Sequence, residues 1–180
     1  TVIGAIFSFP ISFLAANNVS LNFFSRVTKQ VLNVIRAFPE LILAFVFLPI
    51  TGLGPFTGTL AVGIHSIGTL GKLSSEVIEG IDEGPLEAIK SSGGSKLNEL
   101  SFGVIPQVMP TITSYWLYRF EINLRASAVL GVVGAGGVGR IIETQRIFLR
   151  FDRITPIIIL ILAAVISIEQ FSVWLRRKIL

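Results

Sequence analysis

A single long polar island, GIDEGPLEAIKSSGGSKLNELSFGVIPQVMP from Gly80 to Pro110, stands in a chain whose other segments are apolar over lengths suited to crossing a bilayer. A mean hydropathy of +0.77, with 52% apolar and 14% charged residues, is foreign to a soluble domain of 180 residues. The chain is therefore expected to be an all-α membrane protein, one domain over residues 1–180, surrounded by membrane lipid. Its formal charge of +4 raises the question of nucleic acid. The basic residues are scattered between apolar spans, however, and gather on no aromatic-rich face, so no nucleic-acid partner is expected. Cysteine is absent and His65 is the sole histidine, so no metal site is expected.

The island reads as a helical elbow at a membrane surface. Asp82-Glu83-Gly84-Pro85 starts a helix, since acids suit the positive end of the helix dipole and proline is tolerated in the first turn. Leu86 to Ser92 then makes about two turns, with Leu86 and Ile89 on one face and Glu87 and Lys90 paired at i, i+3. Gly93-Gly94 ends that helix and Ser95 caps a second one. Leu97, Leu100 and Phe102 return the chain to apolar sequence.

The apolar segments predict spans on either side. Val2 to Ala16 is short of a full crossing and is expected to be the end of a span that begins before Thr1; no basic leader or cleavage site suggests a signal peptide. Asn17 to Ser20 leaves the membrane, and Arg26 and Lys29 mark a basic loop. Val31 to Ile50 is the next span and carries Arg36, Pro39 and Glu40. A central charge costs about 2.5–3.5 kcal/mol on insertion scales. Arg36 and Glu40 should therefore face protein, either neutralising each other or shaping a translocation path or its gate. Phe56 to Ile78 spaces Gly58, Gly63, Gly68 and Gly71 so that helix backbones can approach closely in lipid, which makes this span central. His65 within it is expected to be packed or hydrogen-bonded. Gly71-Lys72 is no phosphate loop, because Leu73 stands where Ser or Thr is required.

Leu100 to Ile122 is a fourth span with Pro106 and Pro110 near its start, whose freed carbonyls need neighbouring helices or cavity water. At its far end, Tyr118-Arg119-Phe120-Glu121-Ile122-Asn123-Leu124-Arg125 is dense in charge, and Arg119 and Asn123 share one helical face. A guanidinium suits planar, multi-oxygen anions, so Arg119 and Arg125 are the residues a transported anion would meet; a local Glu121–Arg125 salt bridge is the plainer alternative. The candidate path residues are thus Arg36, Glu40, Arg119, Glu121, Asn123 and Arg125. Ala128 to Gly139, AVLGVVGAGGVG, contains a formal GxGxxG, but that fingerprint requires a βαβ unit and this run lies between spans. Gly134, Gly136, Gly137 and Gly139 are expected instead to form a re-entrant turn or broken helices at an outer mouth covering 125–153. Thr155 to Val173 is the last span, followed by Trp174 and the Arg176-Arg177-Lys178 anchor. Arg26, Lys29, Lys90, Lys96 and this tail fall on the elbow's side, against Arg125, Arg140, Arg146, Arg150 and Arg153 on the other. The positive-inside rule then makes the elbow's side cytoplasmic. The arginines outside would concentrate anions or dock an acidic partner.

Two stretches carry a family resemblance. Glu87-Ala88-Ile89, then Gly93, then Gly103-Val104-Ile105-Pro106 keep the spacing of the EAA loop in membrane subunits of bacterial ABC importers, with Ile89, Gly103 and Ile105 departing from its usual residues. Leu117 to Arg125, followed by Ala128-Val129-Leu130-Gly131 and the VGAGGVG run, resembles the phosphonate-type permeases in particular; GAGG alone is shared with methionine-type permeases. The resemblance implies a type I ABC importer transmembrane domain with about five visible spans, the first incomplete, in the bacterial cytoplasmic (inner) membrane. It implies that 80–99 is a cytoplasmic coupling loop in which Leu86, Glu87, Ala88, Ile89 and Gly93 meet an ATP-hydrolysing subunit. It implies a second permease subunit, identical or not, and two ABC ATPases carrying ATP and Mg. An extracytoplasmic solute-binding protein would deliver phosphonate or a related oxyanion to the glycine-rich external gate. The chain itself would carry no reaction and no cofactor. The rivals are a methionine-type amino-acid permease and an ion-coupled secondary transporter or channel, in which Arg36, Glu40, Arg119 and Glu121 would be gating charges. An intramembrane enzyme is disfavoured, since no Ser/His arrangement, acid pair or HExxH lies in the spans.

Overall fold

The computed structural model describes residues 1–132 and 134–179, and no strand occurs among them. α1 (Val2–Ala15) leads to α2 (Asn22–Ala37), which occupies most of what the sequence suggested was a basic loop. The reason is spacing: Asn22, Arg26, Lys29, Asn33 and Arg36 fall on one face of a helix, with Phe23, Val27, Val31 and Val34 on the other. Pro39 stops α2 by holding Phe38 in an extended conformation, and α3 (Glu40–Thr51) departs at 90°. The expected span from Val31 to Ile50 is therefore broken in the middle.

α4 (Pro55–Glu79) opens with proline in its first turn and packs against α1, α2, α3 and α7, the central position its glycines predicted. Gly68 lies against Ile35 and Gly71 against Leu32, both on α2, while Gly58 faces Ala135. Gly63 departs from that expectation. It is turned about 140° around the helix from Gly58, and a Cβ there would meet nothing within 4 Å.

The elbow follows as α5 (Gly84–Ser91) and the short α6 (Lys96–Asn98), then a π-helical turn over Glu99–Val104 feeds α7 (Ile105–Val132). α7 continues past Ile122, where the sequence suggested the span would end. α8 (Gly139–Ile147) and α9 (Phe151–Ile179) complete the described chain. Among the described helices α9 alone is both long and apolar enough to cross a membrane by itself, and the bent α2–α3 pair qualifies jointly. α4 and α7, at 25 and 28 residues, have the length but carry polar side chains, which they can do because other helices surround them.

Two apolar clusters hold the bundle. Ala16, Ile78, Val104, Val108 and Ile112 pack near the elbow with Phe9, Phe13, Leu86 and Trp116. Ala44, Ala61, Val62, Leu130 and Ala135 pack near the glycine run with Leu41 and Phe47. Between them lies a layer of buried polar side chains.

Candidate functional site

The polar layer is assembled from three helices. Arg119, 5% exposed on α7, donates through Nη2 to Glu40 Oε1 at 2.7 Å and through Nε to Ser66 Oγ at 3.2 Å. The same Nη2 lies against His65 Nδ1, and that nitrogen is also 3.2 Å from Glu40 Oε1. Asn123, one turn beyond Arg119, donates to Ser66 Oγ at 2.9 Å and to Thr1 Oγ1 at 2.7 Å. Ser66 spends its own proton on Val62 O. Apart from Ser66 to Val62, these contacts join residues distant in sequence, and every partner but Thr1 sits on a helix. A buried guanidinium so held is charge-balanced by one carboxylate and orientated by Ser66 and His65.

The other path candidates are placed elsewhere. Glu40 does not pair with Arg36: the bend at Phe38-Pro39 lies between them and turns Glu40 inward to Arg119, leaving Arg36 exposed. Glu121, 5% exposed, lies on a different face of α7 from Arg119 and accepts from both Arg125 and Arg176, each at 3.1 Å. The Arg125 side chain is 54% exposed, and the plain salt bridge is what the geometry contains. Arg176 also lies over the Tyr118 ring, 5.9 Å from its centroid. The basic tail is thus held about 24 Å of helix beyond Ile105, so Arg176 is a clasp on α7 rather than a free charge level with the elbow.

The glycine run makes a turn that packs onto α4. Gly134, Gly136 and Gly137 all have φ near +80°, and a Cβ on Gly136 would lie 2.5 Å from Pro55 Cα. Gly139 instead begins α8 and packs against Gly131. Behind the turn is a cavity of about 300 Å³, with Pro55, Gly58, Val62, Asn123, Leu130 and Gly136 among its lining. Its walls are mostly apolar, and Asn123 is the link between it and the polar layer. No group of three His, Cys, Asp or Glu side chains that could hold a metal occurs among the described residues.

The elbow is closed by local contacts. Gly93, at φ +77°, ends α5: its N–H donates to Lys90 O at 3.0 Å and the Gly94 N–H donates to Ile89 O at 2.9 Å. Ser95 Oγ accepts from the Asn98 N–H, the expected cap. Leu86 and Ile89 face Gly103, where a Cβ would lie 3.1 and 3.3 Å from their methyl groups. The departure from the usual EAA residue thus makes the seat for α5. Gln107 ties the elbow to α7, donating to Gly103 O at 2.8 Å and to Asp82 O, and accepting from the Asp82 N–H. Lys90 pairs with Glu99 at 3.8 Å rather than with Glu87. Glu87 and Ala88 point outward and are exposed, and Glu87 is in none of the ion pairs among the described residues.

The structure therefore joins Arg119, Glu40 and Asn123 and separates Arg36, Glu121 and Arg125 from them. Ser66 and Gln107 are the members that sequence reading missed. Neither belongs to a recognisable motif, and only the packing of α4 on α7 and of the elbow on α7 gives them a role.

Comparison with known proteins gives a family, two relatives and a structural neighbour. Residues 8–180 match the family described as binding-protein-dependent transport system inner membrane component. The chain is 44% identical over 99% of its length to the phosphate-import permease protein PhnE of Mycolicibacterium smegmatis, of which it covers 34%. It is 38% identical over 98% of its length to the phosphite transport system permease protein PtxC of Stutzerimonas stutzeri, of which it covers 65%. The chain thus spans less than two thirds of either relative. Among solved structures, the MetNI methionine ABC transporter in an inward-facing conformation superposes with a TM-score of 0.84 at 17% identity, covering 99% of this chain and 88% of that one.

Proposed function

The chain belongs to the family of binding-protein-dependent transport system inner membrane components, and we propose that it is the permease subunit of an ATP-driven importer of a phosphorus oxyanion such as phosphonate or phosphite. The observation that carries the substrate class is the identity, along nearly the whole chain, with relatives named for phosphate import and phosphite transport. The buried Arg119 is consistent with it, because a guanidinium fork matches an oxyanion. The partners in this reading are a second permease subunit, two cytoplasmic ABC ATPases that carry ATP and Mg, and an extracytoplasmic solute-binding protein.

In this reading the elbow is the ATPase-coupling element: Glu87 and Ala88 face the ATPase, Gly93 closes the helix that carries them, and Leu86 and Ile89 join that helix to the bundle. Closure of the ATPases would push on α5. Because Leu86 and Ile89 are seated on Gly103 and Gln107 is bonded across to Asp82, that push passes into the base of α7. α7 is helical from Ile105 to Arg119, about 21 Å of rise, so the same rod carries Arg119. Solute would enter by the mouth formed at Gly134, Gly136, Gly137 and Gly139, pass Asn123, and meet the polar layer. Methionine import ranks second, since the methionine transporter's likeness at 17% identity bears on the fold alone.

The test is ATP hydrolysis and uptake by the full-length permease reconstituted with its ATPase and binding protein, loaded in turn with phosphonate, phosphite, phosphate or methionine. Stimulation by one of the phosphorus oxyanions supports the reading. Stimulation by methionine alone overturns the substrate class, and failure to associate with any ATPase leaves the secondary transporter or channel as the better account.

A further inference from the structure

The guanidinium offered to an oxyanion is already taken. Arg119 Nη2 is on Glu40 Oε1 at 2.7 Å, Nε is on Ser66 Oγ, and His65 Nδ1 faces the same Nη2. Nη1 is in none of the hydrogen bonds among the described residues. With its side chain 6% exposed, Arg119 needs a counter-charge at all times, and Glu40 supplies it on the same chemistry, carboxylate oxygens, that a phosphorus oxyanion would replace.

We propose that Glu40 is a resident stand-in for the transported anion: an oxyanion takes Arg119 only as Glu40 lets go, and the release of Glu40 frees the bend between α2 and α3. This rests on the oxyanion-import reading above. Three observations carry it. Exchange of one anion for another keeps the buried layer neutral, so neither state strands a charge. Ser66 holds Nε independently of Glu40, so the guanidinium keeps a fixed contact during the exchange. Glu40 is the first residue of α3, directly after Pro39 and the 90° bend, so no intrahelical hydrogen bond ladder resists its movement relative to α2. Once released, its carboxylate remains in the first turn of α3, where the helix dipole favours it. Substrate arrival would then be reported to the helices by loss of one contact.

The experiment uses the intact permease–ATPase complex in detergent, without binding protein, and measures equilibrium binding of inorganic phosphate and phosphite to wild type, Glu40→Gln and Glu40→Gln/Arg119→Gln. Removing the competing carboxylate is expected to tighten anion binding at least tenfold, and removing Arg119 as well is expected to abolish the gain. An assembled Glu40→Gln complex that binds no tighter than wild type overturns the proposal and makes the pair a structural salt bridge. If Glu40→Gln does not assemble, Glu40→Asp, whose carboxylate is drawn back by one methylene, should tighten binding two- to fivefold; no change there also overturns it. Uptake by the wild-type system is read in parallel. Uptake of an oxyanion with no tightening in the variants sinks this inference alone. Tightening through Arg119 with no oxyanion uptake sinks the import reading alone.

Discussion

Glu87 and Arg119 each carry a charge on which the proposed cycle depends, yet they are held in opposite ways. Glu87 is exposed on an eight-residue helix that is closed by Gly93, seated on Gly103 and tied by Gln107, all within a short reach of sequence. Arg119 is 5% exposed and is bonded to residues 53, 54 and 79 positions away. A surface element built locally can change its outward side chains without disturbing the bundle, whereas a buried layer built from three helices cannot lose one member alone. The two regions should therefore separate cleanly when stability and coupling are measured on the same variants.

The largest loss is expected at the layer. Arg119→Gln takes the cation from the partly buried Glu40 carboxylate and leaves Ser66 without its buried donor, and should cost about 3 kcal/mol, the low end for a buried pair, read as a lowered Tm of the purified complex together with lost uptake. Next comes the glycine turn, where Gly136→Ala asks a residue with a Cβ to adopt φ +81° and to sit 2.5 Å from Pro55 Cα. The left-handed conformation alone costs about 1–3 kcal/mol, and relief by moving the turn off α4 should slow uptake as well. If Arg119→Gln were as stable as wild type, the contrast between the two regions would fail at its stronger end.

This contrast also explains what could be read from the chain beforehand. The elbow was legible because its signals are adjacent: the Asp82 to Pro85 start, the Gly93-Gly94 stop and the Ser95 cap each act within one turn. The centrality of α4 was legible from its glycines, although Gly63 shows that spacing does not say which of them meets a neighbour. The bend at Pro39 was written in the sequence as a proline before Glu40, but the apolar run around it masked the break. The pairing of Glu40 with Arg119 was not legible. An i, i+4 partner, Arg36, was at hand, and only the 90° turn sends the carboxylate across to α7. For the same reason Lys90 found Glu99, across the elbow, rather than Glu87 on its own helix.

Smaller effects are expected at the elbow. Gly93→Ala places a Cβ at φ +77° and should cost about 1–2 kcal/mol. The cost should be confined to the end of α5, where no buried contact depends on Gly93. Amide exchange is the discriminating measurement: protection of Ile89 to Gly94 should fall while that of α4 and α7 is unchanged. Loss of protection in α7 as well would mean that the elbow and the bundle unfold as one unit, contrary to the separation argued here.

Glu87→Arg should have the smallest effect on stability and is the sharpest test of the comparison. Glu87 lies in the first turn of α5, so reversing its charge opposes the helix dipole and should cost no more than about 1 kcal/mol. No described ion pair is broken, and the outward face of α5 has no packing to lose. An unchanged Tm with loss of ATPase association, or of solute-stimulated hydrolysis, would place the role of Glu87 in contact with a partner. Glu87→Gln separates the two remaining causes, since it removes the charge while keeping the shape: intermediate coupling would point to charge complementarity with the ATPase, and full coupling to the steric bulk of arginine. A large fall in Tm with either variant would instead show that the elbow helps to hold the bundle together, and the division between a local, exchangeable surface and a non-local, fixed interior would not describe this protein.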